Sequence, residues 1–376
     1  MRVGCNLLWL VPGRVGGSEE AAVALLRQIA EQRPEDMEYV VYALDDFGAA
    51  YPDVVKLFPT RLAALTGRLK PLRVAAENSW LASETRKERL DLVHHMNAVL
   101  PLVRRAPGVI TVHDLQPFDM PQNFHPVKRR YVQGSVPRSV RKAELVITPS
   151  EFVRQGIIDR FDVEPTKVRA TLWGVDTPHS DMTVAEVQSR YGLSRRWFVL
   201  NAMTWPHKNH QMLVRAFAKV AHTEHDVTLV LTGGPAQEEK AVAELVTHLG
   251  LGHRVLRTGR IPRRDLLAVV RGATALTFPS RYEGFGLPVL EAMSLGTPVI
   301  SSDAASLPEV VGDAGILLSP DDHDAWATAM LRLLSDDDEC ARLAEAGRSR
   351  VEQFSWKTTA SQTIQVYRDA LAGKET

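Results

Sequence analysis

Residues 278–293 read Phe278-Pro279-Ser280-Arg281-Tyr282-Glu283-Gly284-Phe285-Gly286-Leu287-Pro288-Val289-Leu290-Glu291-Ala292-Met293. The apolar run 273–278 ends at a proline, a loop with two glycines follows, and Pro288 takes the first-turn position it favours in a helix. The stretch is therefore a βα unit. The backbone N–H groups of Phe285, Gly286 and Leu287 point ahead of the helix, an arrangement that favours a phosphate or diphosphate. Glu291 lies about one turn in, its Cβ tilted back towards the same end, and Glu283 sits in the loop. Two carboxylates beside an anion pocket repel phosphate, so they suit accepting hydrogen bonds from sugar hydroxyls. The plainer alternative is a βα turn with two incidental surface acids.

Outward from this unit the same grammar repeats. Apolar runs at 197–201, 227–232, 273–278, 298–301 and 315–318 alternate with amphipathic stretches, and an earlier series occupies 3–11, 39–44, 90–96, 109–113 and 145–148. This is the pattern of parallel sheets with helical crossovers. Between the first two runs, Ala21, Ala22, Leu25, Leu26 and Ile29 fall at helical spacing, with Ser18 placed as a cap and Glu19 and Glu20 in the first turn. A Gly/Pro-punctuated turn, Trp173-Gly174-Val175-Asp176-Thr177-Pro178, marks the seam. The expectation is two doubly wound, Rossmann-like α/β domains, 1–175 and 176–355, with ligands beyond the carboxyl ends of the strands.

The chain has 376 residues, 45 basic and 45 acidic, with 45% hydrophobic and 24% charged side chains. That length suits two domains, and zero formal charge argues against a dedicated nucleic-acid binder. Two distant cysteines, Cys5 and Cys340, match no metal spacing and suit a reducing cytoplasm. The first residues superficially resemble a signal peptide but lack its cleavage site, so 3–11 is read as a buried first strand. No apolar run reaches the ~18–20 residues of a membrane span. Charge is uneven: Arg61, Arg68, Lys70, Arg73, Arg86 and Lys87 outnumber nearby acids, with Leu62, Leu65, Leu69 and Leu72 at helical spacing. Lys128, Arg129, Arg130, Arg138, Arg141 and Lys142 form a second cluster. These are solvated helix faces or a docking surface for anionic lipid or a phosphorylated acceptor.

The stretch 282–293, with seven residues between its glutamates, resembles the retaining glycosyltransferases of family 4, which have the GT-B fold. So do Gly296-Thr297-Pro298-Val299-Ile300, Leu307-Pro308-Glu309-Val310-Val311-Gly312-Asp313 and Thr148-Pro149-Ser150-Glu151-Phe152. The likeness runs from Gly16-Gly17 to Phe354-Ser355-Trp356. It implies two domains facing a central cleft, with the 356–376 helix packing back on the first. It implies that Glu291 holds ribose hydroxyls, that Glu283 contacts the transferred sugar, and that Lys208, in Trp205-Pro206-His207-Lys208-Asn209, neutralises the diphosphate. His113, after the run 109–112, resembles the family histidine near the donor sugar, and Gly16-Gly17 the glycine loop near donor phosphate and acceptor. Together with Gly284, Phe285, Gly286 and Leu287, these form the expected donor site, with His113 and Glu283 catalytic. One departure stands out. Ala202 and Met203 occupy the place of a small residue, usually Gly, and a nearby Arg, so His207, Arg260 or Arg281 must supply the missing charge. His94-His95 ends a strand; adjacent strand residues face opposite ways, which argues against a two-His metal clamp and leaves an acceptor-pocket role for one of them. Gly233-Gly234 follows another strand and is either an approach to the nucleoside or a tight turn.

The resemblance implies a hexosyltransferase that retains configuration by a front-face route, the leaving diphosphate accepting the acceptor's proton. It requires neither cofactor nor metal. GDP-mannose is the first-choice donor, with a dTDP-deoxyhexose or UDP-hexose as alternatives, and the acceptor is a glycan or lipid-linked glycan of envelope or exopolysaccharide assembly. The protein is expected to be cytoplasmic, peripheral at the inner membrane face through Arg61–Arg73 and Lys128–Lys142. The rivals are an epimerase or phosphorylase of the same fold, a nicotinamide oxidoreductase and a non-catalytic nucleotide-binding scaffold. Gly13, Gly16 and Gly17 do not keep the Gly-x-Gly-x-x-Gly spacing the oxidoreductase needs.

Overall fold

A computed structural model describes residues 1–14, 16–67, 69–176 and 180–372. Arg68 of the first basic stretch, Thr177 and Pro178 of the seam, and the last four residues of 356–376 lie outside them. The chain divides into two compact units, Met1–Gly174 with Trp356–Thr376, and Val175–Ser355.

Among the described residues the first unit holds β1 (Arg2–Asn6), β2 (Glu38–Leu44), β3 (Thr60–Ala63), β4 (Leu92–His95), β5 (Gly108–Thr111), β6 (Val146–Thr148) and β7 (Val168–Ala170), in the order β3-β2-β1-β4-β5-β6-β7. The second holds β8 (Arg196–Asn201), β9 (Val227–Thr232), β10 (Val255–Gly259), β11 (Ala275–Phe278), β12 (Val299–Ser302) and β13 (Ile316–Leu318), in the order β10-β9-β8-β11-β12-β13. Every pairing is parallel. Strand order reverses between β1 and β4 and between β8 and β11. The carboxyl ends at these two points are where doubly wound sheets take ligands.

In the first unit, Val3, Cys5, Val41 and Leu92 pack with Leu26 and Ile29 of the Gly17–Gln32 helix. Ile364, Tyr367 and Ala370 of the Trp356–Ala372 helix join the same core. His94 is held inside it, Nδ1 2.8 Å from the Tyr367 hydroxyl and Nε2 2.7 Å from Thr111 Oγ1. Both ring nitrogens are thus satisfied, which makes His94 a core residue. His95 instead meets Asn6 Nδ2 at 3.0 Å.

Three expectations need correction. The first strand stops at Asn6 because its side-chain Oδ1 accepts from Leu8 N–H at 3.0 Å and turns the chain, although Leu7, Leu8 and Leu10 remain buried. Ser18 is not the cap: the helix starts at Gly17, and Gly16, at φ 80° and ψ −140°, precedes it without a side-chain capping bond. Leu62, Leu65, Leu69 and Leu72 do not share a helix. Leu62 lies on β3, paired with β2, and the next helix begins only at Lys70. Gly67 sits between at φ 67°, where a Cβ would come within 2.6 Å of Leu44.

Candidate functional site

The β11 strand delivers residues 279–286 to the reversal point of the second sheet, and the Leu287–Ser294 helix follows with Pro288 in its first turn. Gly286 makes the entry possible. Its φ is 122°, and a Cβ there would lie 2.8 Å from Leu307. The loop is bracketed by hydroxyls: Ser306 Oγ lies 3.0 Å from the Glu283 carbonyl and 2.7 Å from that of Phe285. Phe285 is buried, edge-on to Phe354 at 6.0 Å. These loop residues are thus held by side-chain-to-backbone and core contacts.

From the neighbouring strand β8, the short 3-10 turn Pro206–Lys208 brings in the lysine. Lys208 Nζ lies 2.5 Å from Glu283 Oε1 and 5.4 Å from the Phe278 ring centre, and both charged side chains are largely buried (17% and 13% exposed). The carboxylate orients the ammonium, which retains two further N–H donors. Arg281 N–H and Ser280 Oγ both bond the His207 carbonyl, at 2.7 and 3.2 Å, tying the two loops together. Glu291 is paired with Arg263 of the Arg263–Gly272 helix. This partner left no recognisable signal in the sequence beyond a basic pair after Pro262.

The three candidates for the missing cation differ. Arg281 is paired with Asp321 at 2.6 Å. Burial, and then Lys208, push His207 down to about 4, so it is neutral at pH 7. Arg260 runs beside the departing residue itself: its Nη2 is 4.0 Å from Met203 Sδ. A Cβ on Gly234 would lie 3.0 Å from Arg260 Nε and 3.6 Å from Met203 Cε. Gly233, at φ 118°, abuts the Ala202 backbone, where a Cβ would fall 2.4 Å from its carbonyl oxygen. Gly233-Gly234 is therefore a close backbone approach that lets Arg260 pass over Met203.

In the first unit His113 lies just past β5. Its Nε2 donates to the Met96 carbonyl at 3.0 Å, which leaves Nδ1 as the acceptor; that atom is buried without a protein partner. Burial pushes its pKa down to about 4. Trp9 and Trp173 flank the ring, with centroids 5.4 and 5.6 Å away. Neither tryptophan is legible as a site residue in the sequence. Gly16 and Gly17 open the first helix, and Glu19, 4% exposed, ties down the preceding loop by accepting from Gly13 N–H and the Tyr51 hydroxyl at 2.7 and 2.5 Å. Among the described residues no three His, Cys, Asp or Glu are placed to hold a metal, and no helix is long and apolar enough to cross a membrane.

Comparison with known proteins gives this geometry a family. Residues 15–179 match the profile "Glycosyltransferase Family 4" and residues 198–350 match "Glycosyl transferases group 1". The chain is 34% identical over 283 residues to the O-antigen chain mannosyltransferase B of Escherichia coli, covering 74% of each chain. It is 27% identical over 346 residues to a D-inositol 3-phosphate glycosyltransferase of Corynebacterium glutamicum, covering 84% of this chain and 78% of that one. The sucrose-phosphate synthase of Thermosynechococcus elongatus superposes with a TM-score of 0.79 over 100% of both chains, at 22% identity. With two doubly wound sheets of the GT-B kind and these matches in both halves, the chain belongs to the glycosyltransferases related to family 4.

Proposed function

We propose that the protein transfers a hexosyl group, with retention, from a nucleoside diphosphate sugar to a glycan or lipid-linked acceptor of cell-envelope assembly. The observation that carries the reading is the largely buried Lys208–Glu283 pair, whose carboxylate stands in the loop that leads into the Leu287–Ser294 helix. The N–H groups of Gly284, Phe285, Gly286 and Leu287, with Lys208, take the diphosphate, and Arg260 supplies the charge that Met203 does not. Glu283 accepts from the sugar's hydroxyls and Glu291 from the ribose. Gly16, Gly17 and His113 serve the sugar and acceptor side. In the reaction the anomeric C–O bond to the diphosphate breaks as the acceptor oxygen bonds on the same face, and the acceptor's proton passes to the leaving diphosphate. Fixed donors on that diphosphate lower the barrier most.

The relatives name mannosyl transfer in one case and inositol-phosphate glycosylation in another. The reading therefore stays with a nucleoside diphosphate hexose, a UDP-hexose or dTDP-deoxyhexose standing beside GDP-mannose. Thermal stabilisation by GDP, UDP, dTDP and ADP, each with its sugars, tests it. Ligand at ~100 times its dissociation constant adds about 2.7 kcal/mol. One nucleotide should stabilise the wild type and lose its effect in Glu291→Ala. Stabilisation by none sinks the reading.

A further inference from the structure

Two arginines follow Pro262 and open the Arg263–Gly272 helix, which begins beyond the carboxyl end of β10. The start of that helix is fixed. Ser180 Oγ donates to the Arg264 carbonyl at 2.8 Å. Asp265, 1% exposed, accepts from Arg190 Nη1 and from the Tyr191 hydroxyl, both at 2.8 Å, and so fastens the first turn to the Val184–Tyr191 helix. Arg264 lies 3.5 Å from the same Asp265, while Arg263 reaches Glu291. The helix that carries Glu291 is fixed as well. Thr297, just past the end of Leu287–Ser294, donates its hydroxyl to the Val270 carbonyl at 2.9 Å. Arg263 and Glu291 therefore meet from two anchored helices.

The contact is two-pronged. Arg263 Nη1 donates to Glu291 Oε2 at 3.3 Å, and Nη2 donates to Oε1. The arginine side chain is 48% exposed and that of Glu291 15%. An ion pair open to solvent on one side adds little stability, so its main consequence is geometric. A guanidinium fork on both oxygens sets the plane of the carboxylate. An ionised carboxylate has about four lone-pair sites, and the fork takes one on each oxygen. Among the described residues no other side chain donates to Glu291, which leaves an acceptor site on each oxygen, side by side. Two adjacent acceptors in one plane fit two adjacent hydroxyls. We propose that Arg263 is the positioning residue of the ribose site. It holds the Glu291 carboxylate so that the free lone pairs take the 2′- and 3′-hydroxyls together, and the donor is therefore a ribonucleoside, not a 2′-deoxyribonucleoside, diphosphate sugar. This sets GDP- and UDP-hexoses ahead of dTDP-deoxyhexoses. A site built to bond a hydroxyl rejects the analogue without it, because its acceptor is left unpaired. The inference rests on the transferase reading, in which Glu291 takes the ribose.

The test is calorimetric titration of the full chain with GDP, UDP and ADP, each beside its 2′-deoxy counterpart. The wild type should favour the ribonucleotide about ten-fold or more. In Arg263→Met that ratio should fall to about two-fold or less, through weaker binding of the ribonucleotide. Arg263→Lys keeps the charge without the fork and should not restore it. Arg264→Met, which removes the neighbouring cation that lies by Asp265, should leave the ratio at its wild-type value. Both nucleotides are measured on one preparation, so a partly unfolded variant still reports the ratio. An unchanged ratio in Arg263→Met overturns the inference. So does tighter binding of the ribonucleotide there, which would mean that the pair competes with the ribose. A full ratio in Arg263→Lys overturns it as well, by reducing the effect to charge. Equal binding of both forms by the wild type overturns it while nucleotide binding stands. Absence of binding by every nucleotide overturns the transferase reading itself, and the inference with it.

Discussion

The two sheets share a strand order over six strands, the first adding β7 at its edge, yet their carboxyl ends carry opposite chemistry. In the second unit the reversal point is charged and paired in advance: Lys208 with Glu283, Arg263 with Glu291. In the first, His113 is kept neutral between two indoles and offers a single lone pair. Topology places ligands at both ends, and the side chains decide what each end does. A charged, pre-oriented end suits an anion whose charge grows during reaction. A neutral aromatic end suits sugar rings and hydroxyls.

The largest effect should come from the charged end. Lys208→Ala should lower turnover by ~10²-fold or more with the fold intact by circular dichroism, and Glu283→Ala should do the same. If His113→Ala costs more than either, the division between the two ends fails. Arg260→Met should raise the KM for donor about ten-fold, whereas Arg281→Met should not. Equal effects in steady-state kinetics would remove Arg260 from the diphosphate.

Smaller effects concern stability. Gly286→Ala meets both a strained φ and Leu307, and should cost about 1–3 kcal/mol in denaturant unfolding. Gly16→Ala meets only the strained φ, since nothing lies within 4 Å of its Cβ position, and should cost less. The reverse order would mean that the first unit's loop is the more constrained. Finally, His113, His207 and His210 are each depressed to about 4, chiefly by burial. The unfolded chain binds their protons first, so their contribution is complete above about pH 6.5 and is lost as pH falls through about 4. Melting temperature should drop across that window. His113→Gln should flatten part of the slope, and an unchanged slope would show that this histidine titrates normally.

Periodicity made the βα alternation legible, and long buried strands such as β2 and β9 stand out as apolar runs. The strands it missed, β3, β7 and β10, are short or carry polar residues, as in Thr60–Ala63 and Val255–Gly259. Leucine spacing over 62–72 imitated a helix because a strand, a turn and a helix start happened to repeat leucine every three or four residues. At the site, the sequence marked Glu283, Glu291, Lys208 and the glycine loop, since each lies in a local motif. It did not mark Trp9, Trp173, Arg263 or Ser306, which act on residues far away in the chain.

By itself, then, the sequence determined the alternation of strand and helix, the glycine-led helix entry at 284–287 and the glycosyltransferase family, all properties of contiguous residues. Only the tertiary structure decided which cation lies beside Met203 and which acids are already paired. The physical reason is range: backbone geometry and periodicity act over a few residues, whereas charge pairing and desolvation depend on what folding brings within a few ångströms.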